Sequence, residues 1–520
     1  MIAPQTLKTI MIDDGILEML TGTAIRGLNI LGSLFLFVLG TAVIVVIIFY
    51  IIDVKQTKDT VRRNYPVIGR FRKVFSTLGE FFRQYFFAMD REEMPFNRAE
   101  RDYINHIADE GKETVPFGST KVMAPGTTLF ANGMFPKLEG EHIPVVPLVI
   151  GPNARQPYEP NSFFNISAMS YGSLSKPAVQ ALSHGAQMAG CWLNTGEGGL
   201  SPYHLEGGCD IVFQMGTAKF GVRNDDATLN PEKLAKLCEN PQVKMIEIKL
   251  SQGAKPGKGG ILPAEKVSAE IAKIRGIPEG SPAISPNRHV DAASPEQLLE
   301  LIAKAREASG RPVGIKFVVG NFLPVEALLS TIKAHGLDTA PDFITIDGGD
   351  GGTGAAPLPL MDSMGLTIRE SLPLVDDLLR EYGLRERIRV IVAGKLATPA
   401  DIAWAFCAGA DFVNAGRGFM FALGCIQALK CNKNTCPTGI TTHDKRLQRG
   451  LDPTNKAVRV MQYAKTIRKE VEMIAHSCGV DHPRQLTRDH VMVIQADGRP
   501  RLLSDIWIDR QKAIRADEIN

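Results

Sequence analysis

Two patterns of apolar residues divide this chain. From Leu28 to Ile52 it reads LNILGSLFLFVLGTAVIVVIIFYII, about 25 residues without a charge. A run of that length spans a bilayer with some tilt. A cleaved leader would have a shorter apolar core and a basic start. Here Asp13, Asp14 and Glu18 precede the run together with Lys8 and Arg26. A buried core helix is the competing reading. Lys55, Lys58, Arg62, Arg63, Arg70, Arg72 and Lys73 follow it. The positive-inside rule then gives a single-pass protein of the inner or plasma membrane, with everything after Asp53 in the cytoplasm. Residues 65–89 mix Phe and Tyr with Arg and Lys. An interfacial helix and a helix packed on the folded part both satisfy that mixture.

The second pattern begins near residue 161. Short apolar runs end in Gly, Asn, Lys or Asp, and a helical pattern follows each one. The expected strands are Phe164–Ala168, Trp192–Asn194, Ile211–Gln214, Met245–Ile248, Val313–Phe317, Phe343–Ile346, Val390–Val392 and Phe412–Asn414. Alternating strand–helix units imply a parallel sheet. Eight of them over about 260 residues imply an α/β fold of the closed (β/α)8, or TIM barrel, type. An open doubly wound sheet would want a Gly-x-Gly-x-x-Gly turn after an early strand. Gly196-Glu-Gly-Gly199 lacks that spacing. The expected domain plan is an amino-terminal segment (1–27), a span (28–52) and a basic juxtamembrane segment (53–92). An extension (93–160) with a β-like run from His142 to Ile150 comes next, then the barrel (161–480) and a tail (481–520).

Catalytic residues of such barrels sit at the carboxyl ends of the strands. The first such end carries Ala168, Met169 and Ser170, and the second Asn194-Thr-Gly-Glu-Gly-Gly199. The third reaches Gln214, the fourth runs through Lys249 towards Lys255, and the fifth carries Lys316. The sixth ends in Asp347-Gly-Gly-Asp350-Gly351-Gly352-Thr353-Gly354, and the last two in Gly394-Lys395 and Gly416-Arg417. Small residues after strands seven and eight commonly hold a phosphate, so a phosphorylated cofactor is expected. Lysines at strand ends would suit a flavin, whose ring gains negative charge on reduction. Singly, a Gly-rich loop is a tight turn and a lysine is a solvated side chain; together they fall at one end of one barrel.

Just beyond, Cys425, Cys431 and Cys436 are spaced C-x5-C-x4-C, with Pro437 after the last thiol. Zinc sites favour four ligands in close pairs. Iron–sulfur clusters draw thiolates from one irregular loop, often closed by Cys-Pro. Three thiols without an obvious fourth suggest a three-iron cluster; three buried structural cysteines are the alternative. The other five, Cys191, Cys209, Cys238, Cys407 and Cys478, are scattered, as in a reducing compartment. At 520 residues the chain can bury a large core, and a net charge of +3 without a long basic stripe speaks against nucleic acid.

The strings Ser170-Tyr-Gly-Ser173, Asn194-Thr-Gly-Glu-Gly-Gly199, Glu247-Ile-Lys-Leu-Ser-Gln-Gly-Ala-Lys-Pro-Gly257 and Gly349-Asp-Gly-Gly-Thr-Gly354, with the cysteine loop, closely resemble the synthase domain of glutamate synthase. The resemblance covers roughly Pro147 to Val480. It implies a barrel holding FMN and a 3Fe–4S cluster, in which 2-iminoglutarate, made from 2-oxoglutarate and ammonia, is reduced to glutamate. Carried over residue by residue, it implies that Cys425, Cys431 and Cys436 ligate the cluster. Lys316 would lie near flavin N1 and Gln214 would touch the ring. Ala168, Met169, Ser170, Asp350, Gly351, Gly352 and Thr353 would line the flavin. Gly394, Gly416 and Arg417 would hold its phosphate. Glu197, Lys255 and Arg275 would surround the oxo-acid, two cations facing a dicarboxylate. Glu197 would shuttle protons if its site shifts its pKa upward.

The chain also departs from that pattern. Ile261 stands where the family has a substrate-contacting glutamine, which puts a different oxo-acid or amine in play. No amino-terminal cysteine nucleophile, glutaminase domain or dinucleotide-binding domain is expected. Ammonia or another amine would come from solution or from a partner. Electrons would come from ferredoxin, a separate flavoprotein or a membrane carrier. A membrane-tethered electron-transfer or scaffold subunit is the reading outside enzymes, and Glu197, Lys255 and Arg275 argue against it.

Overall fold

The computed structural model describes residues 14–112, 114, 116–138, 141 and 147–508. Most of the β-like run expected from His142 lies outside the described residues; its end, Ile150, bridges to Tyr158. The chain divides into two units, residues 1–98 and 99–520.

In the first unit one helix runs from Asp14 to Lys55. Its stretch Gly22–Lys55 is long and apolar enough to cross a membrane, and its apolar side chains are exposed. Short helices Thr60–Asn64 and Ile68–Phe82 follow, the latter running on as a wider π turn over Arg83–Phe87.

The second unit is a closed eight-stranded parallel barrel. Its strands are β1 (Phe164–Ile166), β2 (Leu193–Asn194), β3 (Ile211–Met215) and β4 (Val243–Lys249). They continue as β5 (Val313–Phe317), β6 (Phe343–Asp347), β7 (Arg389–Ala393) and β8 (Phe412–Ala415), and β8 pairs back onto β1. Every expected strand is present, with β1 ending two residues sooner than expected, at Ile166. Helix starts carry sequence signals: Ser175, Asn230, Ser294 and Thr398 each cap a helix with Pro in its first turn. Such caps accept from helix amides that lack internal partners.

The barrel is apolar at its amino-terminal end and polar at the other. Trp192, Val212, Met245, Phe343, Ile391 and Phe412 close the bottom together with Ile150 and Tyr158. Gly314 on β5 is required there, because a Cβ would come within 2.4 Å of the Phe343 ring. Higher up, Glu247 is 1% exposed, yet it accepts from Asn194 Nδ2 (2.8 Å), Gln214 Nε2 (2.7 Å) and Thr345 Oγ1 (2.6 Å). A buried carboxylate is tolerated only when so satisfied, and this one ties β4 to β2, β3 and β6.

Helix Pro453–Ser477 packs on helix Lys176–Ala189, with Gly185 directly against Val460. Within residues 481–520, Val491–Ile494 and Pro500–Leu502 form an antiparallel sheet with Thr128–Phe130; residues 509–520 lie outside the described residues.

Candidate active site

Between β4 and β5 the chain makes an excursion that roofs the carboxyl end of the barrel. Ile261–Leu262 pairs antiparallel with Ala283–Ile284, and helix Ala269–Arg275 lies between them. Ser268 caps that helix and Gly276, at φ +65°, ends it. Arg275 thereby reaches back to the β1 loop, where its Nη2 donates to Tyr171 O at 3.3 Å. Its Nε is buried and has no hydrogen-bond partner among the described residues. A buried guanidinium nitrogen left unpaired is costly, and here it is available to an anion.

Glu197, in the turn after β2, is the negative group opposite. Lys249 Nζ lies 2.7 Å from its Oε2 and also donates to Gln252 Oε1 at 3.0 Å. Burial pushes the Glu197 carboxyl up, but Lys249, Lys255 and Arg275 outweigh it and hold the group below its ordinary pKa. The upward shift needed for a resting proton donor is therefore absent, and Glu197 is an ionised carboxylate here. Its slot depends on two glycines. A Cβ at Gly216 would meet Glu197 Cβ at 2.6 Å, and one at Gly260 would meet Oε1 at 2.1 Å. The two cations respond the other way: burial lowers Lys255 against the pull of Glu197, and it brings Arg275 down to about 10. Ile261, next to Gly260, is 49% exposed on the hairpin edge.

The glycine loops interlock on the opposite side of the mouth. A Cβ at Gly352 would strike Arg417 Nε at 2.7 Å, and one at Gly253 would meet Gly351 Cα at 2.8 Å. Gly394 sits at φ +128°, a conformation that L side chains avoid, and a Cβ there would come within 2.9 Å of Gly348 N. Gly416 opens next to Met169 Cε. Arg417 Nη2 points at Asp350 O (3.4 Å), and Thr353 Oγ1 accepts from Gln252 Nε2 (3.1 Å). Met169 N donates to Asn194 O at 2.9 Å, which sets the Ala168–Ser170 loop beside β2. Gln214 and Lys316 are both buried. Burial lowers the Lys316 ammonium, but Asp347, 3.2 Å away, and Glu247 more than restore it, so its pKa is raised. Small backbone approaches after β7 and β8, one arginine, and a fixed cation in the barrel mouth are the features a flavin phosphate and ring require. The expected residues fit FMN on these observations.

The three expected thiols sit on one irregular loop, whose left-handed residues Gln427, Leu429 and Asn434 turn the chain repeatedly. Gln427 N donates to Cys425 Sγ (3.4 Å), and Cys436 Sγ lies 3.3 Å from Thr438 Oγ1. Burial raises the Cys436 thiol, but hydrogen bonds from Thr438 and Thr441 outweigh it and its pKa is lowered; burial brings Cys425 up to about 11. Among the described residues no three His, Cys, Asp or Glu side chains converge on one point as a single metal ion would need. Three thiols on one irregular loop are the donor type that an iron–sulfur cluster takes.

Several contacts at the site are not visible in the sequence. Lys249 was legible as a strand end, but its pairing with Glu197 was not. Asp347, which accepts from Gly253 N (3.0 Å) besides pairing with Lys316, likewise shows in the sequence only as a strand end. Lys266 carried no signal at all. It is 3% exposed and donates to Cys431 O (3.0 Å) and Thr441 O (2.8 Å). It thus joins the three-cysteine loop to the excursion that carries Arg275.

Residues 145–481 match the conserved region in glutamate synthase. The chain is 39% identical over 512 residues to the glutamate synthase large subunit-like protein YerD of Bacillus subtilis (strain 168), covering 90% of this chain and 97% of that protein. It is 36% identical over 318 residues to the archaeal-type glutamate synthase [NADPH] of Thermotoga maritima, covering 61% of this chain and 59% of that protein. The flavin-binding domain of baker's yeast flavocytochrome b2 is 14% identical, with a TM-score of 0.44 over 77% of this chain and 80% of that one. The chain belongs to the glutamate synthase family, and with it to the oxidoreductases acting on CH–NH2 groups.

Proposed function

We propose that this chain is a membrane-anchored, glutamate synthase-like oxidoreductase that reduces 2-iminoglutarate, formed from 2-oxoglutarate and ammonia, to L-glutamate. The observation that carries the reading is the charge arrangement at the mouth: Glu197 ionised beside Lys249, with Lys255 and Arg275 near enough to depress it. Lys255 and Arg275 each take one carboxylate of the oxo-acid, and the unpaired Arg275 Nε gains an acceptor. Neutralising those cations weakens the field that keeps Glu197 ionised. Glu197 then takes up a proton when ammonium is bound and gives it back during imine formation.

FMN, held by Lys316, Gln214, Gly352, Gly394, Gly416 and Arg417, would supply the reducing equivalents, and a 3Fe–4S cluster on Cys425, Cys431 and Cys436 would pass electrons to it. The excursion excludes water from the face where the oxo-acid binds. Electrons enter from a ferredoxin, a flavoprotein or a membrane carrier. In this reading the helix Gly22–Lys55 anchors the barrel, and the basic residues after it support a cytoplasmic barrel by the positive-inside rule.

Ile261 favours a second reading, the same chemistry on another oxo-acid or amine, because it removes an amide from the edge of the site. The test is anaerobic purification followed by titration. Flavin absorbance, the EPR signal of an oxidised three-iron cluster and a flavin spectrum perturbed by 2-oxoglutarate are expected. Stoichiometric zinc without iron would remove the cluster. Silence towards 2-oxoglutarate with a response to another oxo-acid or amine would replace the first reading with the second.

A further inference from the structure

Asp53, at the end of the apolar helix, is wholly buried although the helix around it is exposed. Arg62 holds it through Nε (3.1 Å) and Nη2 (2.5 Å), and Arg70 through Nε (2.7 Å) and Nη2 (2.8 Å). Val67 N donates a fifth bond at 3.0 Å. The Arg70 guanidinium also lies 4.0 Å from the Phe49 ring centroid. Gly69 lets the two short helices meet, since a Cβ there would come within 2.9 Å of Arg62 Cα. The chain therefore does not drift away from the apolar helix; charge-assisted bonds fold it back at a defined point.

What the clasp presents is a one-sided helix. On Ile68–Phe82 and its continuation, Ile68, Phe71, Phe75, Leu78, Phe82 and Phe86 recur every three or four residues and share one face. They are 41–72% exposed, and no residue of this helix is buried. Phe71 lies against Phe75 and Phe82 against Phe86, with centroids 6.2 and 5.5 Å apart, so the stripe is continuous. Lys73, Ser76 and Thr77 occupy the other side, with Arg72 at its border. Exposed aromatics on one face and cations on the other are the pattern of a helix lying in a lipid interface.

We propose that residues 68–87 form a surface that docks on an anionic lipid headgroup layer, held there by the Asp53–Arg62–Arg70 clasp. The proposal rests on the reading that Gly22–Lys55 spans a bilayer. Continuity with that span and the surrounding positive charge select the same bilayer as the occupant, rather than a second protein. A clasped, interfacial helix would fix the height and tilt of whatever follows it.

The test uses full-length protein in vesicles of phosphatidylcholine and phosphatidylglycerol, with brominated lipids as quenchers. Trp192, Trp404 and Trp507 are buried and give a constant background. Phe75→Trp should add emission quenched most by bromines near the headgroups. Phe37→Trp, in the middle of the apolar run, should be quenched most by bromines deep in the chains. Phe75→Trp quenching should fall at least twofold when phosphatidylglycerol is omitted or when Asp53→Asn is added. Quenched Phe37→Trp with unquenched Phe75→Trp would overturn the surface and point to a protein occupant. Unquenched Phe37→Trp would overturn the span itself. Quenching of Phe75→Trp unaffected by Asp53→Asn would overturn the role of the clasp.

Discussion

Lys249 Nζ sits 2.7 Å from Glu197 Oε2, and it reaches there from the last residue of β4. The pair joins a strand end to a glycine turn that neither residue's neighbours would suggest, and it decides the charge state of the mouth.

Lys249→Met should leave Glu197 buried with weaker compensation. Breaking a buried pair costs about 3–5 kcal/mol, and Lys255 and Arg275 should keep the loss at or below the low end of that range. The wild-type carboxyl is depressed, so its contribution to stability is present above the unfolded value, about 4.3, and is lost as pH falls through the folded value. In the variant the shift reverses, and the penalty appears as pH rises. Thermal unfolding from pH 5 to 8 should show the two proteins closest at pH 5 and diverging towards pH 8.

Lys255→Ala should weaken 2-oxoglutarate binding by about 1.5–3 kcal/mol, the worth of a hydrogen bond to a charged group, or roughly ten- to a hundredfold. Flavin difference spectra measure it. Ile261→Gln should tighten the same binding, and unchanged affinity would show that the hairpin edge does not touch the substrate.

Cys431→Ser should lose iron while retaining FMN, because Gly394, Gly416 and Arg417, proposed to hold the phosphate, lie on other loops. Iron and flavin assays on one preparation separate the two. Loss of both together would mean that the thiol loop also supports the flavin site.

Lys266→Met removes a buried cation whose pKa is lowered by burial and held up by Cys431 and Cys436. It leaves the carbonyls of Cys431 and Thr441 without that donor. The potential of the proposed cluster should fall by on the order of tens of millivolts, since net charge near a cluster sets it. EPR-monitored redox titration reads this independently of turnover.

Removing residues 1–98 should give a protein that no longer needs detergent and still binds FMN, because residues 99–520 form a compact unit with its own core. Flavin-to-protein ratio after gel filtration without detergent is the measure.

The barrel was legible because its strands are nearly continuous apolar runs, buried on both faces, and because caps such as Ser294 mark the helices that separate them. Even the two-residue strand β2 shows, since Leu193 and Asn194 are followed at once by a glycine turn. The long apolar helix was legible for a simpler reason: only length and lack of charge are needed. Strand-end positions of Lys249, Lys316, Gly394 and Arg417 could likewise be read along the chain.

What they face could not. Glu197 meets Lys249 and Arg275 only once the barrel closes and the excursion folds over it, and the sign of its pKa shift follows from that packing. The slot made by Gly216 and Gly260, the bridge from Lys266 to the cysteine loop and the clasp of Asp53 by Arg62 and Arg70 are likewise contacts between distant or separately folded segments. Periodicity records which face of an element avoids water. It carries no information about which polar groups are brought together, because electrostatic and hydrogen-bond energies depend on separations that only the tertiary fold sets.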